Sequence, residues 1–306
     1  GYQALTSLTS GTNNTAVGYQ ALTALTTGSN NTAFGYQALD TTVSGSHNTA
    51  IGRLAGFNLT SGIINTFVGY QAGYNVTSSG NNVLIGGQAG EGVSTGSGNN
   101  VVLGNLSMRN VSTDAAYSVS IGSSAFRYGT GDNTVAVGYQ AAMGVSGSTT
   151  SNTVAVGHQS LKSLTTGAEN TALGYQAGYS NTTGARNLSF GHQTNYAVTT
   201  GGYNTGVGWQ ANRFAVTTNH NTGVGHLANS RSTGSNNTAI GSEAAEGVIG
   251  SSTFSNTVAV GYQALTAVTT GAGNTALGYQ AGLATTTGAS NVFVGYQAGS
   301  AVTTDS

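Results

Sequence analysis

The nine residues NTAVGYQAL, Asn14 to Leu22, return as NTAFGYQAL at Asn31 to Leu39, and as NTALGYQAG at Asn170 to Gly178 and at Asn274 to Gly282. With the glycine of VGYQ set as position zero, the unit recurs at Gly1, Gly18, Gly35, Gly52, Gly69, Gly86 and onward to Gly261, Gly278 and Gly295. Most intervals are 17 residues and the rest lie between 16 and 20. A repeat this short cannot bury its own apolar surface and must bury it against its neighbours, so the chain reads as a stack of like units. An enzyme needs one place unlike the others, and the repeat points away from that.

The columns of the repeat set the class of fold. Position −1 is large and apolar (Val17, Phe34, Ile51, Val68), position −3 is Thr or aliphatic (Thr15, Thr32, Thr49, Val83), and position −2 is mostly small (Ala16, Ala33, Ala50). That is a period of two, the signature of a strand. An aliphatic recurs at +7 (Leu8, Leu25, Leu59, Val76, Val145), and a second glycine near +10 (Gly11, Gly28, Gly45). Glycine and β-branched residues dominate and no 3.6-residue stripe is present, which argues against helix pairs. The reading is an all-β, parallel β-solenoid or β-roll, about 18 coils of about 17 residues with two short strands each. Stacked at the interstrand spacing, it makes a rod of about 85 Å.

Each column then becomes a ladder. Asn14, Asn31 and Asn48 read as a corner ladder, because asparagine tolerates turn geometry and its amides can bond one another from coil to coil. Gly18, Gly35 and Gly52 read as the turn that only glycine takes easily. Val17, Phe34 and Ile51, with the threonines at −3, are expected to point into a thin core, facing the +7 aliphatics. Position −2 is then expected to point outward, and so apolar a column on the second face predicts burial against another copy of the chain. The nearly constant alanine at +3 would let copies approach closely.

Composition narrows the function. Charged residues are 5% of the chain, against about 25% in ordinary domains. Lys162 is the lone lysine and six arginines are scattered, so the basic stripe a nucleic-acid binder needs is missing. No apolar run is long enough to cross a membrane as a helix, and cysteine is absent. The chain opens at Gly1 in mid-repeat, and residues 1–306 read as a single repetitive shaft that is a piece of something longer.

The candidate sites are few. Tyr follows the glycine at Tyr19 and Tyr36, with Trp209 in the same column, and Gln follows it at Gln20 and Gln37. Such an edge could stack on sugar rings and bond their hydroxyls, or serve only as structural stacking. His158, His192 and His226 occupy the tyrosine column; the simpler reading is a ring that replaces tyrosine in the stack, and the alternative is that in a trimer three copies of one histidine meet on an axis and take a metal. His47 and His220 fall in turns. Of the carboxylates (Asp40, Glu91, Asp114, Asp132, Glu169, Glu243, Glu246 and Asp305), only Glu243 and Glu246 lie close in sequence, as paired carboxylates of a glycosidase would have to lie in space. No catalytic or cofactor-binding residue, and no cofactor, is expected.

The block NTVAVG, at Asn133 to Gly138, Asn152 to Gly157 and Asn256 to Gly261, resembles the head repeat of trimeric autotransporter adhesins, which have shorter coils. The longer NTAVGYQAL…TTG…NTA pattern is similar to repeats of phage tail-fibre and related fibre proteins, many of which end in a self-cleaving chaperone domain. The resemblance covers essentially the whole chain. It implies a left-handed parallel β-roll trimerised side by side, located outside the cell on a virion fibre or a cell surface. There it would present a tip that attaches to a host glycan or receptor. The alternatives are a bacterial trimeric cell-surface adhesin and an ice-binding solenoid, which a regular threonine ladder could serve. A polysaccharide-degrading spike is the enzymatic alternative, and it would rest on Glu243.

Overall fold

The computed structural model describes residues 1–111 and 115–303. Asp114 and Asp305 lie outside the described residues. The chain forms two compact units, Gly1–Thr153 and Val154–Ser306. Both are parallel β-solenoids. Among the described residues the first holds eight three-residue strands, from Thr15–Val17 to Val135–Val137, and the second holds nine, from Val154–Val156 to Val292–Val294. No helix forms among the described residues.

Strands of successive coils pair in parallel with no slip of register: Thr15 beside Thr32 beside Thr49, Ala16 beside Ala33 beside Ala50, Val17 beside Phe34 beside Ile51. The register holds through irregular coils as well, where Thr222, Thr238 and Val258 align although the intervals are 16 and 20 residues. The extra residues of such coils fall in the turns, because a one-residue slip would carry every side chain to the wrong face.

Each coil has one strand, where the sequence predicts two. The return wall is built from residues that alternate in the sign of φ: Gln20 and Leu22 stand at 52° and 54°, Gln37 and Leu39 at 52° and 53°. Its peptides therefore bond in both directions. Gln37 N–H donates back to Tyr19 O at 2.8 Å, and Leu39 N–H donates forward to Ala55 O at 3.0 Å. The wall satisfies its backbone, as a buried wall must, without becoming extended.

The strand faces are the reverse of the sequence expectation. Ala33 is fully buried, while Phe34 beside it is 56% exposed, and Thr32 is exposed too. The same holds along the column: Ala50, Phe67, Leu84 and Val102 point in, and Val17, Ile51 and Ile85 point out. The +3 alanines (Ala21, Ala38, Ala55) are also buried inside their own coil, so they do not line a boundary with another copy. The expectation fails on width. The inward space is narrow, and a phenylalanine at −2 stands only where the +4 residues against it are glycine.

Core complementarity makes this visible. Where −2 is alanine, +4 is often a buried leucine such as Leu22 or Leu39. Where −2 is Phe67, the +4 residues against it are Gly56 and Gly73, and a Cβ on either would stand 2.5 Å from the ring. Gly90 makes the same room for Leu84, and Gly282 and Gly299 for Phe293. The +7 aliphatics do point inward, with Leu25, Leu59, Val76, Leu164 and Val268 buried. Leu8 and Val145 are exposed exceptions.

Candidate functional site

Three ladders line each unit. The first is the asparagine corner. Asn31 donates its amide to Asn14 Oδ1 at 3.1 Å and to Gly45 O at 2.8 Å, and its backbone N–H reaches the same Oδ1 at 2.9 Å. The pattern repeats at Asn48, Asn65 and Asn82. All four of these side chains are buried, so the amides close corners and offer nothing to a ligand. Asparagines at −5 form a separate, outer column with positive φ (Asn13, Asn30, Asn133). In coils that carry NTVAVG the buried −4 place passes to Thr134, Thr153 and Thr257.

At position zero glycine is required twice over. Gly18, Gly35 and Gly52 stand at φ 139°, 144° and 135°, and a Cβ on Gly35 would meet Gly52 O at 2.4 Å. Coils touch there backbone to backbone.

The second ladder is aromatic. Tyr2, Tyr19 and Tyr36 stack at 5.5 and 5.2 Å between centroids. In the second unit His158, Tyr175, His192, Trp209 and His226 form one run at 5.3, 5.0, 6.1 and 4.9 Å. Both faces of Tyr19, Tyr175, His192 and Trp209 are therefore covered, and what these rings present to solvent is their edges. Beside them run the glutamines, Gln37 Nε2 donating to Gln20 Oε1 at 2.9 Å and Gln20 Nε2 to Gln3 Oε1 at 3.1 Å. The three histidines occupy alternate rungs, with Tyr175 and Trp209 between them, so one chain does not bring them together. Among the described residues no three His, Cys, Asp or Glu side chains cluster as metal ligands.

Where an aromatic run ends, a cation often covers the last face. Arg53 sits between Tyr36 and Tyr70, its guanidinium carbon 5.5 Å from each ring. Lys162 lies over Tyr179 and Arg213 over Tyr196, and Tyr179 and Tyr196 stack on each other. Arg186 covers Tyr203, which stacks on His220. Sequence reading passed over this punctuation because it treats charges as isolated. The cue was there in the register, a cation one repeat away from a tyrosine.

The remaining acids are held in partnerships. Arg109 pairs with Glu91 at 2.8 Å, Arg186 with Glu169 at 2.7 Å and Arg231 with Glu246 at 2.8 Å. Arg186 holds the Glu169 carboxyl below its usual range, by hydrogen bond first and by charge second. Burial pushes Glu246 above it, Arg231 pulling the other way. Glu243 accepts from Gln263 Nε2 at 2.7 Å. The two glutamates thus belong to different columns, and the side chain of Glu246 is only 9% exposed. A cleft of the first unit, lined by Ser79, Gly80, Asn81, Gly98, Asn99 and Tyr117, brings no acid or imidazole together.

The third surface is the outer face of the sheet. In the first unit it is a double row, Thr15, Thr32, Thr49 and Thr66 beside Val17, Phe34, Ile51 and Val68, with Val83, Val101 and Val119 continuing the −3 row. Val156, Leu173, Phe190, Val207, Val224 and Ile240 form the corresponding −1 row of the second unit. Phe34, Ile51, Leu173, Phe190 and Ile240 are each more than a third exposed. The fold defines the chain as a parallel β-solenoid repeat protein. No protein-family model and no curated protein sequence matches it.

Proposed function

We propose that this chain is a shaft segment of an extracellular fibre, a phage tail fibre or a comparable surface appendage, assembled side by side from three copies. It works by form. The shaft gives length and stiffness to a structure that carries a host- or surface-binding tip, and no catalytic group is needed. The observation that carries the reading is the outer sheet face. A stripe of Val, Ile, Leu and Phe side chains runs along this face with many members exposed, and contiguous apolar patches of that kind mark interfaces. Low charge suits that role, since close packing of like copies is hindered by desolvated charge.

The interface in this proposal is the −1/−3 face, and the −2 alanines take no part in it. Sedimentation equilibrium of the chain is expected to give three times the mass of one chain. A mass of one chain at micromolar concentration overturns the assembly and with it the fibre reading. The outward threonine row supports one other reading, an ice-binding solenoid, because hydroxyls repeated in register along one face could match a lattice. A monomer that shows thermal hysteresis, lost on Thr49→Tyr, would establish that reading in place of the fibre. A bacterial trimeric surface adhesin shares the assembly test and differs in what the neighbouring domains anchor.

A further inference from the structure

The aromatic ladder of the second unit breaks at one rung. His226, Ser242 and Tyr262 are successive members of the column that elsewhere holds Tyr, His or Trp, and the register across the break is fixed. Glu243 N–H donates to His226 O at 2.8 Å and Gln263 N–H to Ser242 O at 2.9 Å. His226 stacks on Trp209 with its other face toward the gap, and Tyr262 stacks on Tyr279 at 5.4 Å with its other face toward the same gap. Serine is too small to fill it. Two strand spacings separate the two rings, about 10 Å.

The chain itself shows what such a gap accepts. Between Tyr36 and Tyr70 the skipped rung is filled by the Arg53 guanidinium, 5.5 Å from each ring. Guanidinium is flat, weakly hydrated and attracted to ring faces, so it intercalates where an ammonium does so less well. At Ser242 the neighbouring residue on the same coil is Glu243, where most coils carry glutamine, which adds a negative charge beside the gap. The nearest arginine along this stretch, Arg231, is committed to Glu246 and to Gly247 O. The break in the first unit differs. Beyond Tyr70 come Gly87, Asn105 and Ser123 before the column returns to Tyr139, so that break is three rungs wide and one planar group cannot touch both end rings, and the Asn105 amide leans onto Gly87 O at 3.2 Å.

We propose that the gap between His226 and Tyr262, floored by Ser242 and edged by Glu243, is a binding slot for a guanidinium group, the side chain of an arginine presented by another polypeptide. The slot lies within one chain and does not depend on the assembly proposed above. Saturation-transfer NMR of the full chain tests it, with Nα-acetyl-arginine amide, Nα-acetyl-lysine amide and methyl glucoside as probes. The arginine probe is expected to give a response several-fold above the other two, strongest at its guanidinium end. Ser242→Tyr, which restores the ring most coils carry, should abolish that response, and Glu243→Gln should weaken it. Ser242→Arg should fill the slot from within, as Arg53 does, raising the melting temperature and removing probe binding. The first two variants write residues already found at these rungs, so their fold is not at risk, and circular dichroism checks it. Equal responses from the three probes, a stronger response from the glucoside, or an arginine response that survives Ser242→Tyr overturns the proposal.

Discussion

At the scale of single residues, buried asparagine amides carry the corner. The Asn48 side chain donates to Asn31 Oδ1 and Gly62 O and accepts from the backbone and amide N–H groups of Asn65. Asn48→Ala leaves several of these partners buried and unmet, each worth about 1–3 kcal/mol. A loss of about 3 kcal/mol or more is expected in chemical denaturation, and a loss below about 1 kcal/mol would remove the ladder from the list of stabilising features. The two perturbed glutamates give opposite pH slopes. Glu246 has its folded-state value raised, so its favourable contribution is complete below the ordinary carboxylate range and is lost as pH rises through the raised value. Wild type should therefore gain melting temperature relative to Glu246→Gln as pH falls from 7 toward 4.5, the ordinary value. Glu169 has its value lowered, so its contribution is present above the ordinary range and lost on acidification. Wild type should lose ground to Glu169→Gln below that range. Slopes of the same sign would contradict one of the two assignments, and flat profiles in both comparisons would contradict both. The asparagine corner was legible in the sequence, because the same residue at the same place in coil after coil has few other uses. The split between the −4 and −5 columns was not, since burial and the sign of φ separate Asn31 from Asn30 and neither is written in the residue type.

At the scale of the element, the strand's existence was plain and its orientation was misread. The pattern Thr-Ala-Val has period two, but period alone does not say which parity faces in. Size suggested that valine and phenylalanine fill the core. The better cue was compensation between columns: phenylalanine at −2 in Phe67 and Phe293 coincides with glycine at +4, and two columns that trade volume are touching. The return wall was misread for a different reason. Its alternating φ signs, at Gln20 and Leu22, belong to ordinary non-glycine residues, which local preference assigns elsewhere. The orientation has a direct consequence. Phe34 is 56% exposed in one chain, so Phe34→Asp should leave the coil folded and shift sedimentation toward the single chain. The buried counterpart Ala33→Asp places a charge in a dry core and should unfold the coil by circular dichroism. If Phe34→Asp keeps the assembled mass, the outer sheet face is not the contact.

At the scale of the molecule, repetition decides how stability and association are distributed. In a quasi-one-dimensional array each coil touches only its neighbours, so a long enough piece carries its own stabilising contacts. The two units are each internally compact, and each has its own asparagine corner, glycine column and outer apolar stripe. Residues 1–153 and 154–306, expressed separately, are therefore expected to give β-type circular dichroism and cooperative melts. Association is the sharper test. If the stripe joins the copies, each fragment contains its own share, from Val17 to Val137 in one and from Val156 to Val294 in the other. Both fragments should then sediment with the copy number of the full chain, more weakly because less apolar area is buried. A folded fragment that stays a single chain while its sibling assembles would place the contact in one local feature, and the repeated stripe would no longer be its cause.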